Sequence, residues 1–510
     1  MTRHSRSLDS AFDTLTNLLR LCAADRPDHP AIIDGERVID YRRLDGDVDR
    51  AAAALSAAGV CHGDRVAIVA DMSAEYLVAT LAALRLGAIS VPIAPSATSE
   101  AKLAMLSDAA PSVLFADQNN AASVAAFGGF INLEESKFDQ WLPPLGTRPE
   151  PVDVDPDHAF NIIYSSGTTG TPKGIVQSHA MRWHHVQRGR VAGYSADSIT
   201  LVSTPLYSNT TLVSVIPTLA FGGTLVLLPK FDAKMFLELA ERWRVTHAML
   251  VPVQYRRLLG LPEFNNYDLS SFQMKTCTSA PFAADLKAEV LRRWPGGLVE
   301  IYGMTEGGAS MTLAAHLYPD KLHTVGRPVE GHFVRIVDDA GDEVLGGGVG
   351  EIVGRSPAMM SCYHNQPLLT REAEWYDDKG IRYIRTGDIG KFDEDGFLIL
   401  LDRKKDMIIS GGFNIFPSDL EAILRQHPGL SDVAVVGVPS AEWGETPVVF
   451  AVPQPGANPD RETVRDWFAE RVGKTQRLSD LVWVTELPRN AIGKVLKRDL
   501  RDKYIVGQPS

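Results

Sequence analysis

Residues 164 to 174 read Tyr-Ser-Ser-Gly-Thr-Thr-Gly-Thr-Pro-Lys-Gly and follow the apolar run Ala159-Phe160-Asn161-Ile162-Ile163. A β-rich run that breaks into small hydroxyl residues and glycines predicts a strand end opening into a loop, whose turns Gly167, Gly170 and Gly174 permit. The hydroxyls of Ser165, Ser166, Thr168, Thr169 and Thr171, the backbone N–H groups and the charge of Lys173 are donors that suit a polyphosphate. The Walker pattern G-x-x-x-x-G-K-[ST] fails here, because counting from Gly167 puts Pro172 at its second glycine and Gly174 at its Ser/Thr. A plain Ser/Thr/Gly linker has no reason to follow a buried strand or to close on Pro-Lys-Gly.

Four further segments carry charge at defined places. Glu300-Ile301-Tyr302-Gly303-Met304-Thr305-Glu306 sets an aromatic ring, a hydroxyl and a carboxylate after a short strand. Exposed Thr-Glu pairs are common, but at a strand head facing a phosphate loop Glu306 could hold Mg2+ through oxygen. Tyr383-Ile384-Arg385-Thr386-Gly387-Asp388 ends a strand in a turn with one carboxylate, which alone reads as a turn aspartate. Asp402-Arg403-Lys404-Lys405-Asp406 is a charged knot between apolar strands, by itself a solvated face. Pro488-Arg489-Asn490-Ala491-Ile492-Gly493-Lys494 aims one lysine from an Asn/Gly turn.

In this order and spacing the segments resemble the motifs of the adenylate-forming superfamily, which comprises acyl-CoA synthetases, amino-acid adenylation domains and firefly-type luciferases; acid:CoA ligases are the nearest in pattern. The resemblance runs from about residue 12 to 500 and implies roles residue by residue. Ser165, Ser166, Gly167, Thr168, Thr169, Gly170 and Lys173 would wrap the phosphates of ATP. Ser279, Ala280 and Pro281 would form the adenine-side loop, with Ser279 where glycine is frequent. Glu300, Tyr302 and Gly303 would line the nucleotide, the ring stacking on adenine, while Thr305 and Glu306 act in catalysis and Glu306, with Thr168, holds Mg2+.

The same resemblance gives Asp388 the ribose hydroxyls, sets Arg403 by the nucleotide and makes Lys405 the hinge. Lys494 would be the catalytic lysine that reaches the substrate carboxylate and the α-phosphate. Gly411 and Gly412 fall on the coenzyme A side, followed by Phe413 where the family usually has Glu. Tyr207, Ser208, Asn209 and Thr210 fall in the segment that lines the acyl and pantetheine tunnels. Ser208 stands where many acyl-CoA synthetases carry histidine, and no carboxylate is present there to pair the ammonium of an amino acid.

The elements that must position these residues read as an α/β chain. Strand Val66–Ala70, helix Ser73–Leu86 and strand Ile89–Ile93 make a βαβ unit, and the alternation continues at 112–116, 200–204, 224–228, 233–243 and 246–251. Such alternation predicts doubly wound parallel sheets with helices on both faces and ligands at the carboxyl ends of strands. Gly341 to Gly350 reads as a hairpin turn in a β-rich subdomain. After the charged knot comes a compact α+β pattern: helix 417–425, strands 433–438 and 448–452, helix 461–472, strand 481–484. The expected organisation is a large N-terminal domain, 1–402, that binds ATP and the acyl group, and a small mobile C-terminal domain, 403–510, that carries Lys494.

Composition narrows the partners. A length of 510 residues with 45% hydrophobic residues allows large cores, and a net charge of −12 argues against nucleic acid. Cys22, Cys61, Cys277 and Cys362 have no metal-binding or disulfide spacing. The N-terminus lacks a signal-peptide core and the apolar stretch 212–228 is broken by Pro217, Gly222 and Gly223, so a cytoplasmic protein without a transmembrane segment is expected. The function implied is ATP-dependent joining of a small-molecule carboxylic acid to coenzyme A through an acyl-adenylate, with pyrophosphate released. A stand-alone ligase that loads a carrier protein is the alternative. A luciferase-like oxygenase needs oxygen chemistry that no residue announces, and a non-enzymatic nucleotide sensor would be marked by loss of Lys494 or Glu306, both of which are present. A homodimer is left open by the sequence.

Overall fold

The computed structural model describes residues 3–165, 173–410, 413–440, 442–473, 476–490 and 493–507. Contacts divide the chain into two compact units, one of Met1–His323, Pro328–Phe333 and Gly354–Ile384, the other of Thr324–Arg327, Val334–Val353 and Arg385–Ser510. The division falls upstream of the charged knot because residues 385–404 bind to the segment 334–353. Arg385 pairs with Glu351 at 2.8 Å, the Thr386 hydroxyl donates to the Ile352 carbonyl at 2.8 Å, and Lys404 reaches Glu351 at 3.3 Å.

In the first unit, strand β1 (Ala159–Ser165), strand β2 (Lys173–Ser178), helix α1 (His179–Val191) and helix α2 (Asn209–Ala220) follow one another in the chain. Further on come β3 (Gly297–Met304), β4 (Gly307–Ala314) and β5 (Cys362–Tyr363). A seven-stranded sheet runs β5, β2, β1, Ile89–Pro92, Arg65–Val69, Val113–Ala116, Ile131–Asn132. From β1 to Ile131–Asn132 neighbouring strands are parallel, as the βαβ pattern predicts, but β2 returns antiparallel to β1 and β5 antiparallel to β2. The phosphate-loop segment is therefore the connection of a hairpin, closed at the pair Ser165↔Lys173, and not a strand-to-helix turn.

Helix Ala74–Arg85 crosses between the parallel strands. Ser73 starts it, its hydroxyl accepting from the Tyr76 N–H at 3.1 Å, and Gly87 at φ +66° ends it. Nearly every side chain along it is buried, which is why its sequence is apolar all round.

The second sheet of this unit carries the parallel strands Pro30–Asp34, Thr224–Leu227, Ile199–Val202, His247–Leu250, Met274–Cys277 and β3. It too ends antiparallel, with β4 against β3. This pairing corrects one expectation: Tyr302 and Gly303 lie within a strand, because β4 extends the ladder past Glu300, and the turn falls at Thr305-Glu306.

The second unit contains β6 (Arg382–Phe392) from Arg385 onward, antiparallel to β7 (Leu398–Arg403). Segment 341–350 is a turn as expected, with Gly341, Gly346 and Gly347 all at positive φ. Strand Leu430–Ser440 shows how the α+β part is built. Val433 and Val435 belong to the core shared with Leu420, Leu424 and Phe468, while Ala434, Val436 and Val438 belong to the opposite core with Phe450 and Leu500. Alternation thus feeds both faces of one sheet, each covered by helix.

Among the described residues no helix is long and apolar enough to cross a membrane.

Candidate active site

The hairpin β1–β2 fixes both ends of the phosphate-loop segment. Ser166, Gly167, Thr168, Thr169 and Gly170, with Thr171 and Pro172, lie outside the described residues, as do Gly411 and Gly412. At the β2 end, Lys173 Nζ stands 5.5 Å from the centre of the Tyr363 ring, within cation–π range. Tyr363 lies on β5, brought there by its pairing with Ile175 of β2. Its hydroxyl donates to Glu306 Oε1 at 2.8 Å. Burial, and then the Glu306 charge, raise the Tyr363 pKa, so the phenol keeps its proton as donor.

Glu306 itself is half-buried on the β3–β4 turn. Its carbonyl accepts from the Met360 N–H at 2.8 Å. Gly307 follows at φ +82°, and a Cβ there would lie 1.8 Å from the Ala358 carbonyl oxygen, so only glycine lets the turn approach this closely. Thr305 is held by its carbonyl, which accepts from Gln177 Nε2 at 2.7 Å. A lysine, a phenol and a carboxylate are thereby lined up beside the hairpin, with Thr305 tied to β2.

Behind Gln177 is a buried amide network centred on Arg182 of α1. Arg182 Nε and Nη2 donate to Asn161 Oδ1 at 3.0 and 2.8 Å, Nη2 also donates to Gln177 Oε1, and Nη1 donates to Asn209 Oδ1 at 2.8 Å and meets His185 Nδ1 at 3.3 Å. Five donors thus meet neutral acceptors, which is how a guanidinium can be buried without a carboxylate. The network joins strand β1, strand β2 and the head of α2.

At that head the proposed tunnel residues are engaged by the protein. Ser208 is the N-cap of α2, its hydroxyl accepting from the Thr210 N–H at 3.3 Å. Asn209 is bound to Arg182, and Tyr207, whose pKa burial raises, bonds Ser96. Thr210 Oγ1 lies 2.6 Å from Ser279 Oγ, which links the tunnel segment to the adenine-side loop. Ser279 has φ +79°, so it keeps the backbone of the glycine that is frequent at this place. Ala280 beside it is half-buried and Pro281 exposed.

Glu300 does not reach the turn with Glu306. It is buried on β3 with its carboxylate on Lys287, burial raising its pKa to about 7 and the lysine opposing that rise. Its place is inside the fold, behind the half-buried Tyr302 and the exposed Gly303.

In the second unit Asp388 and Arg403 face each other across β6 and β7, Arg403 Nε to Asp388 Oδ1 at 2.8 Å. The expected turn at the end of a strand is not found: Gly387, at φ +70°, and Asp388 lie inside the continuous strand β6, because β7 pairs with it there. Lys494 sits on a tight turn: the Asn490 N–H donates to the Lys494 carbonyl at 3.0 Å, the Lys494 N–H to Asn490 Oδ1 at 2.9 Å, and Gly493 has φ +78°. The Lys494 ammonium is pushed down to about 8, first by burial and then by Arg403 and Lys405, with Asp388 and Asp406 opposing. The three cations and Asp388 are therefore neighbours within this unit. Lys405 is exposed.

The sequence did not single out Tyr363, Gln177 or Arg182. Gln177 had a signal, a buried amide in the apolar strand Gly174-Ile175-Val176; Tyr363 had none, since only the β5–β2 pairing brings it to Glu306.

The AMP-binding enzyme family matches residues 19–364, and the AMP-binding enzyme C-terminal domain matches residues 419–494. The chain belongs to the AMP-binding enzyme family. Its sequence is 36% identical over 495 residues to an indoleacetate–CoA ligase of Aromatoleum aromaticum, covering 93% of this chain and 95% of the relative. It is 30% identical over 510 residues to the fatty acid–[acyl-carrier-protein] ligase ScoC of Streptomyces coeruleorubidus, covering 97% of each. The crystal structure of ATP-bound MatB from Rhodopseudomonas palustris superposes with a TM-score of 0.86 at 30% identity, over 96% of this chain and 99% of that one. As a member of the AMP-binding enzyme family, the chain is an AMP-forming acid–thiol ligase of the acyl-CoA synthetase type, which works through an acyl-adenylate.

Proposed function

We propose that the chain converts an aromatic or aryl-alkyl carboxylic acid, ATP and coenzyme A into an acyl-CoA, AMP and pyrophosphate. The observation that carries the site assignment is the line Lys173, Tyr363, Glu306 beside the β1–β2 hairpin. The likeness to an indoleacetate–CoA ligase supports the acid class and the thiol.

In the first half-reaction a carboxylate oxygen of the acid attacks the α-phosphorus of ATP, and the bond to the bridging oxygen breaks to release pyrophosphate. Negative charge builds on phosphate oxygens, so positioning and countercharge do the work and no protein nucleophile is needed. Lys173 and the hydroxyl loop hold the β- and γ-phosphates, Asp388 takes the ribose hydroxyls, Tyr302 stacks on adenine, and Lys494 offsets charge at the α-phosphate.

The residues present fit Mg2+. Among the described residues no cluster of three or more His, Cys, Asp or Glu could form an all-protein metal cage, whereas this ion characteristically takes one or two carboxylates and completes its shell with phosphates and water. Glu306 would hold it, with one oxygen fixed by Tyr363. Bound there, the ion supplies positive charge to the phosphate oxygens.

In the second half-reaction the thiol sulfur, having lost its proton, attacks the adenylate carbonyl carbon and AMP leaves. Residues 403–510 turn about Lys405 between the two steps, withdrawing Lys494 and bringing Gly411 and Gly412 to the site. A second reading, transfer to a carrier protein, is favoured by the likeness to ScoC. Acid-dependent exchange of labelled pyrophosphate into ATP, followed by thioester assay with coenzyme A and with carrier protein side by side, tests both. Faster transfer to the carrier would replace coenzyme A as the acceptor.

A further inference from the structure

The polar side chains from Ser208 to Thr211 are bound within the protein, so recognition of a polar group on the acid falls to other residues. Arg188 of α1 is the outstanding candidate. The buried Arg85 has Asp45 and Asp49 at 2.6 and 2.7 Å, and Arg182 makes five contacts to four neutral partners. Arg188 has neither provision. Among the described residues its one side-chain hydrogen bond, from Nη1 to Ser310 Oγ, is long at 3.4 Å, and it forms no ion pair. None of its nitrogens is both buried and partnerless, so the remaining N–H groups face accessible space. Burial lowers its pKa.

The surroundings are basic or neutral. His184 lies one turn earlier on α1, on the face of Arg188. His332 Nδ1 accepts the Ser310 N–H at 2.8 Å, which places the ring proton on Nε2 as a donor. Burial and the nearby Arg188 and His184 push His332 down to about 4, so at neutral pH the arginine is the charge of the cluster.

Ser310 sets the cluster beside Gly303 on the proposed nucleotide side, and Gly189 of α1 packs on α2, whose head carries the proposed acyl segment. A Cβ added to Gly303 would lie 3.4 Å from Ser310 Oγ, and Gly189, next to Arg188, packs so closely on α2 that a Cβ would lie 2.6 Å from Pro217. A mostly buried guanidinium without countercharge costs free energy until an anion pairs with it.

We propose that Arg188 is a specificity-determining residue that pairs with a second carboxylate of the substrate, remote from the carboxylate that is activated. This rests on the acyl-CoA synthetase reading above and narrows the substrate class to diacids. Planar, two-pronged pairing of guanidinium with carboxylate suits the role, and the Ser310 hydroxyl and His332 Nε2–H are neutral donors in the same cluster.

The test compares terephthalate, 4-carboxyphenylacetate and glutarate, each against its monomethyl ester, in two assays: pyrophosphate exchange and calorimetric binding to the full chain. The expected result is a diacid preferred over its half-ester by about 10- to 100-fold in at least one pair, the worth of a charge-assisted pair. In Arg188→Gln that preference should vanish while the half-ester behaves as with wild type. Half-esters equal to or better than diacids in every pair would overturn the proposal, as would an Arg188→Gln variant that weakens both alike. The wild-type ratio stands by itself should that variant not fold. Absence of exchange with any acid would instead strike the ligase reading, and calorimetry would still decide for or against the Arg188 subsite.

Discussion

Ser279 Oγ and Thr210 Oγ1 lie 2.6 Å apart, and Ser279 makes this contact from a backbone at φ +79°, in the region glycine favours. A non-glycine residue there costs on the order of 1–3 kcal/mol, and one neutral hydrogen bond returns about 1 kcal/mol. Ser279→Gly removes both terms, whereas Thr210→Val removes the bond and keeps the strain. The glycine variant should therefore match or exceed wild type in thermal melting, and the valine variant should lose about 1 kcal/mol. A glycine variant less stable than the valine variant would contradict this balance.

The Tyr363 hydroxyl holds Glu306 Oε1, so Tyr363→Phe should leave the fold intact but free that carboxylate to turn. We expect the Mg2+ concentration for half-maximal pyrophosphate exchange to rise roughly tenfold, the lower range for a hydrogen bond to a charged group. Chelation of divalent ions should abolish exchange in both proteins. A titration that superposes on wild type would separate Tyr363 from the metal site.

Lys494 is held near 8, well below an ordinary lysine, by burial and its cationic neighbours. Its protonated form is the one that offsets phosphate charge. Adenylation should accordingly be constant below pH 8 with respect to this group and fall as pH rises through about 8, while Lys494→Arg should carry the fall to higher pH. An unmoved alkaline limb in the arginine variant would assign that limb to another group.

Much of this was legible in the chain itself. The βαβ run at 65–92 and the α+β pattern after 403 follow from apolar periodicity, a local signal, whereas the expected turn at Asp388 is not there, because pairing with β7 carries β6 through it. What local signals do not carry is antiparallel return: that β2 folds back on β1, that β4 lengthens β3 through Tyr302, and that β5 delivers Tyr363 to Glu306 are long-range pairings. Glu300 was misleading because burial on β3, against Lys287 of the preceding helix, decided its role. Ser208 and Asn209 read as tunnel polarity, but a helix cap and a buried arginine claim them.

Arg182 offers a test of the buried network. Arg182→Met leaves the side-chain oxygens of the buried Asn161 and the half-buried Asn209 without their donor, and should cost roughly 2–3 kcal/mol as these acceptors go unpaired. Adding Asn161→Leu and Gln177→Leu should recover part of that loss, because it also removes the buried side-chain acceptors that Arg182→Met strands on β1 and β2. Denaturant unfolding of the single and triple variants reads both numbers, and a triple variant less stable than the single would argue that these side chains are not one network.

The central claim is that Lys494 serves adenylation and has left the site when the thiol attacks. Lys494→Ala decides it when the two half-reactions are timed separately, one from acid and ATP, the other from chemically supplied acyl-AMP and coenzyme A. The account predicts adenylate formation slowed by about 10²–10³-fold, the usual loss for one charge-stabilising donor, with thioester formation close to wild type. Equal slowing of both half-reactions would contradict it.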